Sequence, residues 1–552
     1  MSEKTYPSIN DLTLEEKASL TSGGDAWHLQ GVEAKGIPGY MITDGPHGLR
    51  KSNSATTGEV DLNNCVPATC FPPAAGLSSS WNPELIHQVG EAMAEECIQE
   101  KVAVILGPGV NIKRNPLGGR CFEYWSEDPY LAGHEAIGIV AGVQSKGVGT
   151  SLKHFAANNQ ETDRLRISAN ISQRALREIY FPAFEHIVKE AQPWTIMCAY
   201  NCINGVHAAQ DHWLLTDVLR DEWGFQGIVM SDWGADHDRV ASLNAGLNLE
   251  MPPSYTDDQI VYAARDGRIQ PAQLDRMAQG MIDLVNKTRA AMSIENYRFD
   301  IEAHDEVAHQ AAIESMVLLK NDDAILPIAG DAKVTVIGEF ARTPRYQGGG
   351  SSHITPTKMT SFLSTLAERG VDAKFAPGFT LDLEPADPAL EAEAVDAAKG
   401  ADVVLMFLGL PEAAESEGFD RETLDMPAKQ IALLEAVAAE NKNVVVVLSN
   451  GSVVTVAPWA KNAKGILESW LLGQSGGPAL ADVLFGKVSP SGKLAQTIPF
   501  DINDDPSTIN WPGEEGHVDS AKACSWATAI THLQQGRRLP VRIRPELRHV
   551  RS

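Results

Sequence analysis

Residues 228–236 read IVMSDWGAD, a short apolar run followed by one carboxylate, Asp232, then an indole and a glycine. From Gly227 to Met230 the side chains do not alternate between apolar and polar, as expected of a strand covered on both faces. Asp232 then falls at the C-terminal mouth of that strand. In parallel α/β folds ligands bind at that mouth, which places a carboxylate there for chemistry. An Asp after a strand also caps the helix that follows. Position alone leaves both readings open.

Working outward, the same pattern recurs between residues 35 and 290. The runs KVAVILGPG, GTSLKHFAAN, WTIMCAYN and GIVMSDWG alternate with amphipathic stretches such as PELIHQVGEAMAEECIQE. Strand and helix in alternation predict a parallel sheet. Each run ends in polar or glycine-rich residues, which predicts a TIM-type (β/α)8 barrel with its pocket at the C-terminal rim. This α/β catalytic domain is expected over 1–290 and a polar linker over 291–310. A second α/β unit is expected over 311–505, with strands AKVTVIGEF, DAKFAPG, ADVVLMFLGL and NVVVVLSNG and the helix PAKQIALLEAVAAEN. A three-layer sandwich is the simplest arrangement. Residues 506–552 form an atypical C-terminal stretch.

The 552 residues, 43% hydrophobic and 21% charged, match an ordinary soluble chain of several domains. A net charge of −26 disfavours nucleic acid and anionic membranes as partners and suits a neutral small substrate. The opening MSEKTYPSINDLTLEEK has no apolar core of signal-peptide length, and no apolar run long enough to span a bilayer follows. A cytoplasmic location is therefore expected. The seven cysteines lack CxxC spacing, and without an export signal no Cys65–Cys70 disulfide is expected.

The second unit carries a crowded acidic loop after a strand, GLPEAAESEGFDRETLDMP, residues 409–427. Two loops at strand mouths thus offer one carboxylate each. Glycoside hydrolysis uses such a pair: an ionised carboxylate at the anomeric carbon, and a protonated carboxyl that gives its proton to the leaving oxygen. Separate loops permit separate environments, and hence separated pKa values.

Seven blocks then fall in the order of a known pattern: MITDGPHGLR (41–50), GPGVNIKRNPLGGRCFEYWSEDP (107–129), SLKHFAANNQETDR (151–164), MCAYNCING (197–205), VMSDWGA (229–235), GGGSSH (348–353) and SEGFDR (416–421). From about residue 10 to 518 the chain resembles glycoside hydrolase family 3, the β-glucosidase group. The resemblance implies that Asp232 is the nucleophile, with Trp233 as an apolar wall against the sugar, and that Glu417 is the general acid/base, with Glu415 as its rival. Asp44 would accept hydrogen bonds from remote sugar hydroxyls, or cap a turn before Gly45. Lys153, His154, Arg120 and Arg164 would donate to the other hydroxyls and hold Asp232 ionised. Arg50 stands between that role and a surface ion pair. Tyr200 would bond near Asp232, Met197 would line the same subsite, and Ser351 or Ser352 of the glycine-rich loop would contact the sugar.

QGGGSSHITP lacks the lysine of a phosphate loop, and the cluster of Asp232, Asp236, His237 and Asp238 fits no standard ligand spacing. No cofactor and no metal are expected. The implied mechanism is retaining double displacement, with the two carboxyls about 5–5.5 Å apart. Expected substrates are β-D-glucosides such as cellobiose, then β-xylosides or α-arabinosides. An acetylglucosaminidase is not expected, because KHFAANNQ stands where those family members carry a KHFPGHG-like loop. A sugar-binding protein without catalysis is the alternative from another class.

The resemblance stops after WPGEEGHVD, where the family runs on into a fibronectin-like domain that this chain is expected to lack. Residues 520–552 carry seven Lys or Arg against one Glu, a +6 segment beside a body of −32. That contrast, and apolar surface left by the missing domain, predict a homodimer joined through the tail.

Overall fold

In the computed structural model, residues 8–53 and 64–519 are described. The basic stretch 520–552, on which the expected homodimer rests, lies outside the described residues. The first domain is built on five parallel strands: β1 (Met41–Asp44), β2 (Val102–Leu106), β3 (Gly149–Phe155), β4 (Thr195–Cys198) and β5 (Ile228–Met230). They pair in that order, parallel throughout. Every residue of all five is buried, which explains why their sequences do not alternate. Helices Pro83–Glu100 and Pro129–Ser145 lie between successive strands. Each begins with proline after a side-chain cap: Asn82 accepts from the Leu85 amide, Asp128 from that of Tyr130.

Short bridged segments close the sheet into a ring. Met230 pairs with Leu249 and Glu250 with Ser22, both parallel; Gly23 then pairs with Leu29, and His28 with Met41 of β1, both antiparallel. The domain is α/β as expected, but the segment around residues 28–29 runs against its neighbours. Its connection from Gly23 is too short for a crossover, so the chain reverses. Asp25 holds the turn by accepting from the Trp27 amide at 2.7 Å and the His28 amide at 2.9 Å.

The second domain is a six-stranded sheet. Its strands are β6 (Val317–Asn321), β7 (Val334–Ile337), β8 (Ala373–Ala376), β9 (Val403–Gly409), β10 (Val444–Ser449) and β11 (Gly465–Glu468). Their spatial order is β6-β11-β10-β9-β7-β8, with only the edge strand β6 antiparallel. Helices Pro388–Ala398 and Ala428–Glu440 pack on each other, and Gly476–Leu484 packs with Phe362–Glu368 and Ile301–Ser315, so helices cover the sheet as two sets. The helix Ile301–Ser315 starts where Asp300 caps the amides of Glu302 and Ala303.

Buried bonds join the domains. Asn115 Nδ2 donates to Ser507 Oγ at 2.7 Å, Ser126 Oγ to the Ala495 carbonyl at 2.6 Å, and the Cys70 amide to Gln474 Oε1 at 3.1 Å. Among the described residues Cys70 and the other buried cysteines form no disulfide, so no Cys65–Cys70 bond is present. Among the described residues no helix is long and apolar enough to cross a membrane.

Candidate active site

The C-terminal ends of the barrel strands converge on one place. Asp44 is the last residue of β1, Lys153 and His154 lie near the end of β3, Met197 sits in β4 with Tyr200 just beyond it, and Asp232 follows β5 by two residues. Arg120 and Arg164 come from the loops after β2 and β3. Glu417 arrives from the second domain, on the loop after β9.

Asp232 is 7% exposed, and its Oδ1 accepts from the Trp233 amide at 2.8 Å. Oδ2 is buried without a hydrogen-bond partner among the described residues, with His154 Nε2 at 3.7 Å. Burial raises the Asp232 carboxyl above the usual carboxylate range, opposed by the charges of Arg120 and Lys153, by the Trp233 amide bond and by the nearby Tyr200 hydroxyl. The same surroundings hold the Tyr200 phenol well above its ordinary value, through burial and the Asp232 charge. Burial and the charges of Arg120, Lys153 and Arg164 keep the His154 imidazole neutral well below its usual range. Trp233 is fixed by donating from Nε1 to the Ala26 carbonyl at 3.1 Å and lies 5.3 Å from the Trp27 ring.

Glu417 is gripped from both domains. Arg164 Nη1 donates to Oε1 at 2.9 Å, Arg120 Nη1 stands 3.6 Å from the same oxygen, and the Ser351 amide donates to Oε2 at 2.7 Å. Burial pushes this carboxyl up, but the two arginines and Ser351 outweigh it and hold it far below the usual range. Ser351 therefore contacts the site through its backbone. That approach requires Gly350, whose φ is +88° and whose missing side chain leaves room for Glu417.

Glu415 is 0% exposed and fully engaged within its own domain. Arg345 Nη1 and the Gly451 amide donate to Oε1, and Ser452 Oγ donates to Oε2 at 2.8 Å. It braces the loop from behind while Glu417 faces the arginines. Arg50 is 1% exposed and donates from Nη1 to Asp44 Oδ2 at 2.8 Å, so it forms no surface ion pair. Its Nε and Nη2 are buried without partners among the described residues. Burial raises the Asp44 carboxyl, against the charges of Lys153 and Arg50.

Three carboxylates of this region escaped the sequence reading. Glu123 lies buried between Arg120 Nε at 2.7 Å and Lys153 Nζ at 3.4 Å. Glu161 accepts from Arg164 Nη1 at 2.5 Å and from the Gly418 amide at 2.9 Å. Asp420 accepts from the barrel loops. Their signal was the count: four cations, Arg120, Lys153, Arg164 and Arg50, need more acidic partners than Asp232, Glu417 and Asp44 supply.

Comparison with known proteins agrees on the family, while the named activities of the relatives differ. Residues 52–284 match the glycosyl hydrolase family 3 N terminal domain, and residues 316–523 the glycosyl hydrolase family 3 C-terminal domain. The chain is 87% identical over 528 residues to an exo-alpha-(1->6)-L-arabinopyranosidase of Bifidobacterium breve, covering 94% of this chain and 70% of that one. It is 50% identical over 516 residues to thermostable beta-glucosidase B of Acetivibrio thermocellus, covering 93% and 68%. A crystal structure of a GH3 beta-glucosidase from Bifidobacterium adolescentis superposes with a TM-score of 0.90 at 88% identity, over 93% of this chain and 74% of that one.

Proposed function

The chain belongs to glycosyl hydrolase family 3 and is a glycosidase, and from that premise we propose a retaining exo-glycosidase that removes one terminal α-L-arabinopyranosyl residue by double displacement. The observation that carries the specificity is the 87% identity to an arabinopyranosidase across nearly the whole chain. β-D-Glucosides are the second reading, favoured by the 88% identical beta-glucosidase structure. This reading places the arabinopyranoside ahead of the glucoside, the reverse of the order expected from the sequence. Both substrates present an equatorial bond at the anomeric carbon. They differ at C4 and in the hydroxymethyl group that arabinopyranose lacks.

In this reading Asp232 attacks the anomeric carbon, and Glu417 protonates the departing oxygen and later deprotonates water. Asp232 must be ionised and Glu417 protonated at the first step. In this structure Asp232 is shifted up and Glu417 down, so the sugar has to rebalance them. A hydroxyl donating to the unpartnered Oδ2 favours ionised Asp232. A leaving-group oxygen beside Glu417 competes with Arg164 for its Oε1 and favours the protonated acid. Asp44, Arg50, Lys153 and His154 would read the remaining hydroxyls, where a lost buried hydrogen bond discriminates strongly. Met197 would line that subsite, and Trp233 and Trp27 would supply apolar surface for the ring.

The test is a panel of p-nitrophenyl glycosides with purified protein. The reading expects the highest kcat/KM on the α-L-arabinopyranoside, with turnover of the β-D-glucoside behind it. A preference for the glucoside by tenfold or more would reverse the order. No turnover of either, with sugar binding intact, would favour a binding protein.

A further inference from the structure

Three residues beyond Glu417, the side chain of Asp420 points out of its own domain and into the barrel. Its Oδ1 accepts from the Gly119 amide at 2.9 Å and the Glu161 amide at 2.9 Å. Its Oδ2 accepts from the Thr162 amide at 2.8 Å and Thr162 Oγ1 at 2.6 Å, with the Glu161 amide also at 3.1 Å. All of these donors belong to two barrel loops. Gly119 precedes Arg120, and Thr162 lies two residues before Arg164. The loops tied down by Asp420 are therefore the loops whose arginines grip Glu417. The next residue completes the seam: the Arg421 amide donates to the Leu117 carbonyl at 2.8 Å, while its Nη1 donates to Ser452 Oγ and the Val453 carbonyl in the second domain.

This arrangement meets a specific difficulty. If the Arg164 and Arg120 contacts with Glu417 were all that held the acidic loop on the barrel, the loop would loosen whenever Glu417 took up a proton, because an ion pair needs both charges. The acid/base group would then lose its position at the step that requires it. We propose that Asp420 is a positioning residue: an ion-to-backbone latch that carries the tether between the domains and leaves Glu417 free to change protonation without moving. A carboxylate is suited to that task, since backbone amides hydrogen-bonded to an anion stay matched while the site around Glu417 gains and loses charge. An Asn would turn an NH2 group toward at least one of the amide donors.

The inference rests on reading Glu417 as the acid/base, and the experiment separates the two. Aryl glycosides with leaving groups from 2,4-dinitrophenol to phenol are hydrolysed by the parent, Glu417→Ala, Asp420→Ala, Asp420→Asn, Thr162→Val and the Glu417→Ala/Asp420→Ala double variant, with a melting curve for each. The expected kcat/KM of Asp420→Ala on the phenyl glycoside is about 10²-fold below the parent, with less than about tenfold loss on the dinitrophenyl glycoside. Thr162→Val, which deletes one donor, should move the same way by a smaller factor. In the Glu417→Ala background, Asp420→Ala should add less than about threefold, because a residue that acts through another has nothing left to act on. A steep leaving-group dependence for Glu417→Ala with a flat one for Asp420→Ala, or full additivity in the double variant, overturns the latch alone. A flat dependence for Glu417→Ala overturns both readings. Should Asp420→Ala fail to fold, Asp420→Asn and Thr162→Val decide by the same criteria.

Discussion

Adding a single methyl group at Gly350 should disable proton transfer while leaving the fold intact. At φ +88° an alanine is strained, by about 1 kcal/mol or somewhat more. Its Cβ would stand 2.5 Å from Glu417 Cβ and 2.6 Å from Oε2, where carbon contacts settle near 3.5–4.0 Å. Glu417 must therefore retreat by roughly 1 Å and strain its bond with the Ser351 amide, a charged hydrogen bond of about 1.5–3 kcal/mol. A displacement of that size at a reacting group lowers turnover by about 10²-fold. Gly350→Ala should thus lose about 1–3 kcal/mol of stability by denaturant titration. Its kcat/KM on a phenyl glycoside should fall about 10²-fold, and less on a dinitrophenyl glycoside. Gly267→Ala is the control, because φ is +85° there and no heavy atom lies within 4 Å of the added carbon. It should lose about 1 kcal/mol with unchanged kinetics. Gly350→Ala kinetics within threefold of the parent on both substrates would refute the reasoning.

Arg164→Met removes one of the two cations that hold Glu417 ionised, so its carboxyl rises and the basic limb of kcat/KM should move to higher pH; a limb that stays or moves down counts against the assignment. The depressed Glu417 carboxyl stabilises the fold above its unfolded pKa, and that contribution is lost as pH falls through the folded value, so Arg164→Met should flatten acid denaturation as well. His47 is buried with both ring nitrogens unpartnered among the described residues, and burial lowers it to about 4. The unfolded chain takes up that proton first, so stability should fall by about 3 kcal/mol between pH 6.5 and 4, and His47→Gln should remove most of that slope in urea titrations. Burial raises the Glu468 carboxyl to about 8, so its contribution is present below the unfolded pKa and lost as pH rises through the folded one; Glu468→Gln should gain on the parent more at pH 8 than at pH 5, and an equal difference at both would contradict this.

The elements that were legible from sequence are those in which burial and period agree. KVAVILGPG, GTSLKHFAAN, WTIMCAYN and GIVMSDWG became β2 to β5, because unbroken apolar runs of strand length suit a sheet covered on both faces. In the second domain NVVVVLSNG became β10 for the same reason. The reversed segment around residues 28–29 carried no such signal: it pairs through single bridges, and its direction follows from the tight turn at Asp25. Asp232 and Glu417 could be named because each lies in a block, VMSDWGA and SEGFDR, that resembles the family's pattern. Asp420 and Glu161 could not, since their partners are backbone amides and loop neighbours brought close only by the docking of the two domains. Between Glu415 and Glu417 the sequence favoured Glu417 through the resembled block alone; the bonding that distinguishes their surroundings, with Glu415 held by Arg345, Gly451 and Ser452, involves residues far apart in the chain.

The most direct test of the account is to trap the covalent intermediate. A 2-deoxy-2-fluoro glycoside with a dinitrophenyl leaving group slows breakdown of the glycosyl-enzyme more than its formation, so the labelled protein should accumulate and can be digested and sequenced by mass spectrometry. The account predicts one sugar per chain, on the peptide containing IVMSDWGAD and attached to Asp232. A label on any other residue, or active enzyme that is never labelled and releases product with inverted configuration, would contradict it.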